Sequence, residues 1–197
     1  MPTNIDLASV DSDQAAHHLN ELVELYTEVY AEPPYQWGRE HAELFVERFE
    51  GQRRQDGFRL VEARDHGQLA GIGFGVTLLP DTPWWQNLLT PVSKDMTQEY
   101  SNRTFAVVEL LVRTPWRRRH IAEGIHNRLL SDRVEERATL TVLPAAEAAQ
   151  AAYRKWGWQK VAQKRNPLPG SPVFDVMVKH LAEPPGTKLG RVAGDRP

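Results

Sequence analysis

Glu109 is the only charge in an otherwise apolar run, Thr104 to Val112 (TFAVVELLV), and Arg113, Arg117, Arg118 and Arg119 follow it closely. A carboxylate inside a buried strand is costly unless it is used or paired. His120 comes next, and from there Ile121, Ile125 and Leu129 recur at helical steps, so a helix opens directly after the basic turn. A buried strand, a basic turn and a helix N-terminus together make an anion site. Backbone N–H groups and the positive end of the helix dipole face the guest, and guanidinium groups add donors suited to phosphate. The natural guest is a pyrophosphate. The alternatives are a solvated basic turn or a nucleic-acid patch for the arginines, and for Glu109 an arginine partner or a place at a solvent-facing strand edge.

Composition narrows the chemistry. The chain has 197 residues, which predicts one domain with a tail. It has no cysteine, which excludes disulfides, cysteine-ligated zinc, iron–sulfur clusters and a thiol nucleophile. The net charge of −2 points to neither nucleic acid nor membrane as partner. The arginine run also lacks the interleaved aromatics of a single-strand binder. No apolar run approaches the ~20 residues of a membrane span. The start, MPTNIDLASVDSDQ, lacks the basic-then-apolar order of a signal peptide, so a soluble cytoplasmic protein is expected. The seven histidines show no metal-ligand spacing, and no metal is expected.

The elements that must position these residues are legible from periodicity. Residues 4–10 predict a strand, capped into a helix at Asp11, Ser12 or Asp13, with Leu19, Leu22, Val23, Tyr26 and Val29 on its apolar face. Pro33 and Pro34 end that helix. A second helix is expected over 39–52, with Ala42, Phe45, Val46 and Phe49 inward. Strands at 58–63 and 69–79 flank the turn Asp65-His66-Gly67-Gln68. Gly71, Gly73 and Gly75 on the second strand imply close approach of a side chain or ligand. Residues 80–103 form a long loop, expected to be functional or partly disordered. Then come the strand 104–112, the helix from His120, a strand at 138–143, an alanine-rich helix at 145–156 with Gly157 as its C-cap, and strands at 158–164 and 173–180. Residues 182–197 read as a disordered tail behind a domain of residues 1–181. The order β-α-α-β-β-β-α-β-α-β-β predicts an α/β fold with a mixed sheet and helices on both faces.

The motif residues carry a resemblance. Arg117, Ile121 and Ala122 fit the signature Arg/Gln-x-x-Gly-x-Gly/Ala that opens a helix after a strand ending in valine, here Val112. Tyr153-Arg154-Lys155-Trp156-Gly157-Trp158 fits a second motif, Tyr-x-x-x-Gly-Phe, with Trp for Phe. On these residues the chain resembles the GNAT superfamily of acetyl-coenzyme A-dependent N-acetyltransferases, over about residues 4–180. The resemblance implies the GNAT fold, with a central, mostly antiparallel sheet. It implies acetyl-coenzyme A as co-substrate, held by Leu111, Val112, Arg113, Arg117, Arg118, Arg119, His120, Ile121 and Ala122. Two positions depart from the pattern: His120 replaces the first motif glycine, and Ala146 stands where the second motif's helix often starts with Asn.

The implied reaction is transfer of an acetyl group from the thioester to a primary amine, directly in a ternary complex. An alkylamine has a pKa of about 10, so it must lose a proton before attack. Glu109 is the expected base. A backbone N–H of Leu111 or Val112 is the expected oxyanion donor, and Tyr153 the expected acid for the departing thiolate. The loops holding Tyr35 and Trp37, and Trp84 and Trp85, are the expected acceptor-binding segments; Trp84 and Trp85 could instead pack the loop onto the sheet or bury a dimer contact. The acceptor is a small-molecule or protein amine. The C-terminal strand edges could pair two copies into a homodimer. The competing reading is a non-catalytic acyl-coenzyme A-binding or regulatory module on the same fold, which His120 favours and the pairing of Glu109 with Tyr153 disfavours.

Overall fold

A computed structural model describes residues 5–167 and 170–181; the tail expected at 182–197 lies outside them. Among the described residues seven strands, β1 (Ile5–Val10), β2 (Arg59–Asp65), β3 (Gln68–Thr77), β4 (Thr104–Val112), β5 (Arg137–Val142), β6 (Gln159–Arg165) and β7 (Val173–His180), form one sheet in the order β1-β2-β3-β4-β5-β7-β6. All neighbours are antiparallel except β4 and β5, which are parallel.

The N-terminal half builds outward from two amphipathic segments. Strand β1 (Ile5–Val10) leads to Asp11, whose side chain accepts from the Asp13 and Gln14 N–H groups while Gln14 bonds back, forming a capping box. The expected single helix is divided into α1 (Ser12–His17) and α2 (Leu19–Tyr30). At the break His18 turns its ring onto the buried Glu62, 2.8 Å away. Leu22, Leu25, Tyr26 and Tyr30 are buried on α2, so its inward face is rotated from the one predicted, with Val23 and Val29 at its margin. Helix α3 (Arg39–Gln52) buries Ala42, Phe45 and Phe49 as the spacing predicts. Both helices cover one face of β2 (Arg59–Asp65) and β3 (Gln68–Thr77) through Leu60, Leu69, Ile72 and Phe74. His66 and Gly67 both have positive φ in the two-residue connection between these strands, as a tight hairpin requires.

The opposite face carries α5 (Ile121–Leu130), which follows β4 (Thr104–Val112). Gly73 allows the helix to lie close, since a Cβ there would come within 2.5 Å of Ile125 Cγ2. The close approach expected at the β3 glycines is therefore made by a helix and by the backbone of β4. The chain continues through β5 (Arg137–Val142), α6 (Glu147–Lys155), β6 (Gln159–Arg165) and β7 (Val173–His180). Helix α6 covers the same face as α5, and their side chains share one core with Phe105, Leu140 and Met177. Gly157, at φ +86°, closes α6 in the predicted place.

The long connection 80–103 is a folded segment. It holds a 3-10 turn at Pro83–Trp85 and a short helix, α4 (Lys94–Thr97). Trp85 packs on Ala162, Val176 and Val178, against the sheet face opposite α6. Buried charge locks it there: Arg137 meets Glu99 at 2.9 Å, and Glu99 also accepts from Trp85 Nε1 at 2.7 Å and from Thr104 Oγ1 at 2.8 Å. Residues 87–90 run along the outer edge of β6. Leu89 N donates to Gln163 O at 2.7 Å, and Gln163 N donates to Thr90 Oγ1 at 3.1 Å. The strand edge expected to be free for pairing between subunits is thus occupied by the chain itself along this stretch.

Candidate active site

The site arises where the sheet comes apart. The parallel pairing of β4 with β5 covers only Thr104–Arg137, Phe105–Ala138 and Ala106–Thr139. Beyond it the strands diverge, and the register of β3 with β4 slips between Phe74 and Gly75, leaving Val108 as an extra residue on β4. The gap is a cavity of about 640 Å³, walled by Val107–Val112 on one side and by Leu140–Val142 and α6 on the other.

Strand alternation decides which backbone donors enter the gap. Arg113 N bonds to Ala70 O at 2.9 Å, so that residue's polar groups point toward β3. Groups of adjacent residues point to opposite edges. The N–H groups of Val112 and Leu110 therefore face the gap, and that of Leu111 faces β3. Of the two residues expected to supply an oxyanion donor, Val112 directs its N–H into the gap and Leu111 directs its N–H toward β3; Leu110, not singled out because alternation cannot be phased from sequence, also faces the gap. Leu111 instead buries its side chain beneath α2 and α3.

Glu109 lines the cavity and is 5 % exposed. Its Oε2 accepts from the Tyr30 hydroxyl at 2.5 Å, and Oε1 lies 3.8 Å from an Arg48 nitrogen. Burial raises its pKa from 4.5 to about 7, only partly countered by Arg48 and Tyr30. Tyr153 lines the same cavity from α6. Burial, and after it the proximity of Tyr35 and Glu109, pushes its hydroxyl well above the usual tyrosine range, so it keeps its proton. Trp156 and Trp158 stand edge-on to its ring at 5.8 and 6.0 Å.

The basic turn is more heavily committed than its composition suggests. Arg113 lies 3.0 Å from Glu28 on α2 and is absent from the cavity wall. Arg117 reaches the wall but donates through Nε to Val112 O at 2.9 Å and through Nη1 to Glu32 at 2.6 Å. Glu32 also accepts from Thr114 at 2.5 Å, and these bonds, Thr114 first, hold its carboxyl below the usual range. Two of the four predicted anion-binding arginines therefore tie the turn to α2 and the loop after it. Arg118 is exposed and lines the cavity; Arg119 is exposed but does not line it. His120, Ile121 and Ala122 all line it.

His120 occupies a left-handed conformation, φ 61°, as does Arg118. Such a backbone costs a non-glycine residue roughly 1–2 kcal/mol, which accounts for glycine in the general motif. The imidazole stands in solvent, 2.9 Å from Glu123 on the first turn of α5. The turn thus keeps its shape with a side chain in the glycine position. The N–H groups of Ile121, Ala122 and Glu123 begin α5 without intrahelical acceptors.

The predicted acceptor residues separate into two groups. Tyr35 lines the cavity. Trp37 stacks behind Tyr30 at 4.4 Å. Trp84 and Trp85 are absent from the cavity wall: Trp84 donates to Thr139 Oγ1 at 3.3 Å, and Trp85 is buried in the loop core. They anchor the connection onto the sheet, the alternative reading of those residues. Tyr30 and Arg48 were not singled out from sequence, since a Tyr on an apolar helix face and an Arg on a polar one carry no signal by themselves. A second cavity, about 800 Å³, lies near the C-terminal ends of α5 and α6 among Arg133, Lys155 and Lys179, and includes neither Glu109 nor Tyr153. Among the described residues, no group of three or more His, Asp or Glu side chains could hold a metal ion.

The sequence matches the Acetyltransferase (GNAT) family over residues 20–158, and the chain belongs to that family. None of the curated proteins matches it in sequence. Solved structures share the fold at low identity. The ribosomal-protein-S18-alanine N-acetyltransferase of Escherichia coli is 14% identical, with a TM-score of 0.62 over 94% of this chain and 99% of that one. The PaiA N-acetyltransferase of Thermoplasma acidophilum, solved with coenzyme A, is 12% identical, with a TM-score of 0.58 over 90% and 99%. The YncA structure from Salmonella typhimurium, solved with acetyl-CoA, is 11% identical, with a TM-score of 0.63 over 92% and 96%.

Proposed function

We propose that this protein transfers an acetyl group from acetyl-coenzyme A to a primary amine, directly, in a ternary complex. The observation that carries the reading is that one cavity borders both a carboxylate able to change protonation near neutrality, Glu109, and a hydroxyl that keeps its proton, Tyr153. Acid and base with opposed proton affinities in one site are what acyl transfer to an amine needs.

The residues present fit acetyl-coenzyme A. The free N–H groups of Ile121, Ala122 and Glu123 and the Arg118 guanidinium suit its pyrophosphate. Ala145, Ala146, Ala148, Ala149 and Ala152 make the α6 side of the cavity apolar and shallow, which suits a long, thin chain. When bound, the co-substrate supplies an activated thioester. The Leu110 and Val112 N–H groups are aimed to stabilise negative charge on its carbonyl oxygen. Glu109 takes the proton of the incoming ammonium, and Tyr153 gives one to the departing thiolate. The chain has no cysteine to carry an acetyl group, which favours direct transfer. The outward His120 side chain, paired with Glu123, favours this reading over a module closed to coenzyme A.

Calorimetric titration with acetyl-coenzyme A, beside desulfo-coenzyme A, tests the first half. Micromolar binding is expected for the wild type. Absence of binding to both the wild type and His120→Gly would remove the assignment. Release of free thiol in the presence of a panel of primary amines tests the second half.

A further inference from the structure

Glu109 is held from two directions by groups the acetyl-transfer reading does not require. Tyr30 comes from α2 and Arg48 from α3. The Tyr30 hydroxyl donates to Oε2 at 2.5 Å. Its ring is fixed in turn: it stacks on Trp37 at 4.4 Å, meets Tyr35 edge-on at 4.7 Å, and packs on Tyr26 at 4.5 Å. The backbone joins in, since Trp37 N donates to Tyr30 O at 2.8 Å. Arg48 donates through Nε to Leu44 O at 3.3 Å, which steadies the base of its guanidinium, and its Nη2 lies 3.8 Å from Glu109 Oε1. That spacing is beyond a hydrogen bond, so Oε1 carries no strong partner.

We propose that Tyr30 and Arg48 are positioning residues that clamp the Glu109 carboxylate, committing Oε2 to the tyrosine and leaving Oε1 as the atom that receives the proton of the acceptor ammonium. The inference rests on Glu109 being the base in the reading above. In this step an ammonium N–H bond breaks, an O–H bond forms at Oε1, and the amine keeps the electron pair for attack. The clamp orients the lone pair for that transfer. It also keeps the carboxylate from folding onto another donor. The aromatic residues around Tyr30 act through it, which gives Trp37 a role without contact with any substrate.

The groups facing Glu109 are Tyr26 and Tyr30 from α2, Tyr35 from the loop after it, Arg48 from α3 and Tyr153 from α6. Arg48 and the hydroxyl of Tyr30 favour the ionised carboxylate, whereas burial opposes it. Removing either clamp member therefore raises the pH at which Glu109 ionises.

The test reads that pH without using activity. Melting temperature of the full chain is followed from about pH 5 to pH 9, and the Glu109→Gln curve is subtracted. The wild-type difference is expected to inflect near pH 7. Tyr30→Phe is expected to move the inflection upward by about one unit, a tenfold loss of acidity. Arg48→Met, at a half-exposed site that leaves the core intact, is expected to move it up by about half a unit, and Arg48→Lys to restore it. Inflections that stay at the wild-type pH in both Tyr30→Phe and Arg48→Met overturn the clamp. The acid limb of kcat with acetyl-coenzyme A and alkyl, aryl-alkyl or peptide amines must move in step with the inflection, with KM for acetyl-coenzyme A unchanged. Full turnover by Glu109→Gln overturns the acetyl-transfer role of Glu109 instead, and with it the positioning role.

Discussion

Two buried glutamates sit at opposite ends of the seam between β4 and β5, and burial acts on them differently. Glu135, at the closed end, is 3 % exposed, and Glu109, at the open end, is 5 % exposed. Burial alone would raise both pKa values. At Glu135 it is outweighed by Arg133, which bonds both carboxylate oxygens, and by the Thr77 hydroxyl at 2.6 Å, so this carboxyl stays below the usual range. At Glu109 the arginine stands off at 3.8 Å and only a tyrosine bonds directly, so the pKa rises to about 7. The closed end uses its carboxylate to fasten strands and loop, with Arg133 also lying 3.8 Å over the Phe105 ring. The open end leaves its carboxylate short of partners, and that deficit lets it exchange a proton. Exposure does not distinguish the glutamate held ionised from the one whose pKa is raised; the geometry of the nearest cation does.

The largest expected effect breaks the open end. Glu109→Gln should lower kcat by about 10²–10⁴-fold, the usual worth of a positioned base, with little change in acetyl-coenzyme A binding by calorimetry. Tyr153→Phe should cost less, about 10–100-fold in kcat, and most when thiol release limits turnover. The closed end should respond in stability. Arg133→Met strands a buried carboxylate, and such losses run to about 3–5 kcal/mol. Thermal melting should show the drop at pH 8 and a smaller one at pH 5, where Glu135 can begin to take up a proton.

A sharper version of the comparison reverses the sign. The folded-state pKa of Glu109, about 7, exceeds the ordinary 4.5 of an unfolded chain. Its contribution is therefore fully favourable below pH 4.5 and is lost as pH rises through 7. Glu109→Gln should thus be more stable than wild type at pH 8.5, by about 1–3 kcal/mol, and nearly equal to it at pH 5. Glu135→Gln should be destabilising at both. If both variants melt alike across the range, the two ends do not differ as described. The smallest effect is expected at His120→Gly. Relief of the left-handed strain is offset by the freedom glycine gains in the unfolded chain, so the net change should stay within about 1 kcal/mol. Coenzyme affinity should change only a few-fold, since the ring already stands in solvent.

Sequence reasoning succeeded where one local signal has one structural solution. The α3 spacing gave its limits, His66-Gly67 gave a hairpin, and Arg117 through Ala122 gave the turn into α5. It failed where meaning depends on which elements meet. Two apolar strands, β4 and β5, look alike whether they pair along their length or part after three residues, so the cavity itself was invisible. Arg113 and Arg117 read as phosphate ligands because nothing local announces Glu28 and Glu32. Trp84 and Trp85 read as pocket residues because aromatic loops serve equally well as pocket linings and as anchors. Tyr30, which bonds Glu109, and Arg48, which stands near it, lie 79 and 61 positions from it in the chain.

Gly73 sets the distance between the sheet and the helix that opens at the motif turn. Adding one methyl group there would bring it within 2.5 Å of Ile125 Cγ2, an atom on a β-branched side chain with little room to swing away. The substitution would be absorbed by displacing α5, and with it the start of the helix. A residue absent from the cavity wall thereby sets a tolerance on the motif turn: the candidate site is mutationally fragile at a position on the neighbouring strand.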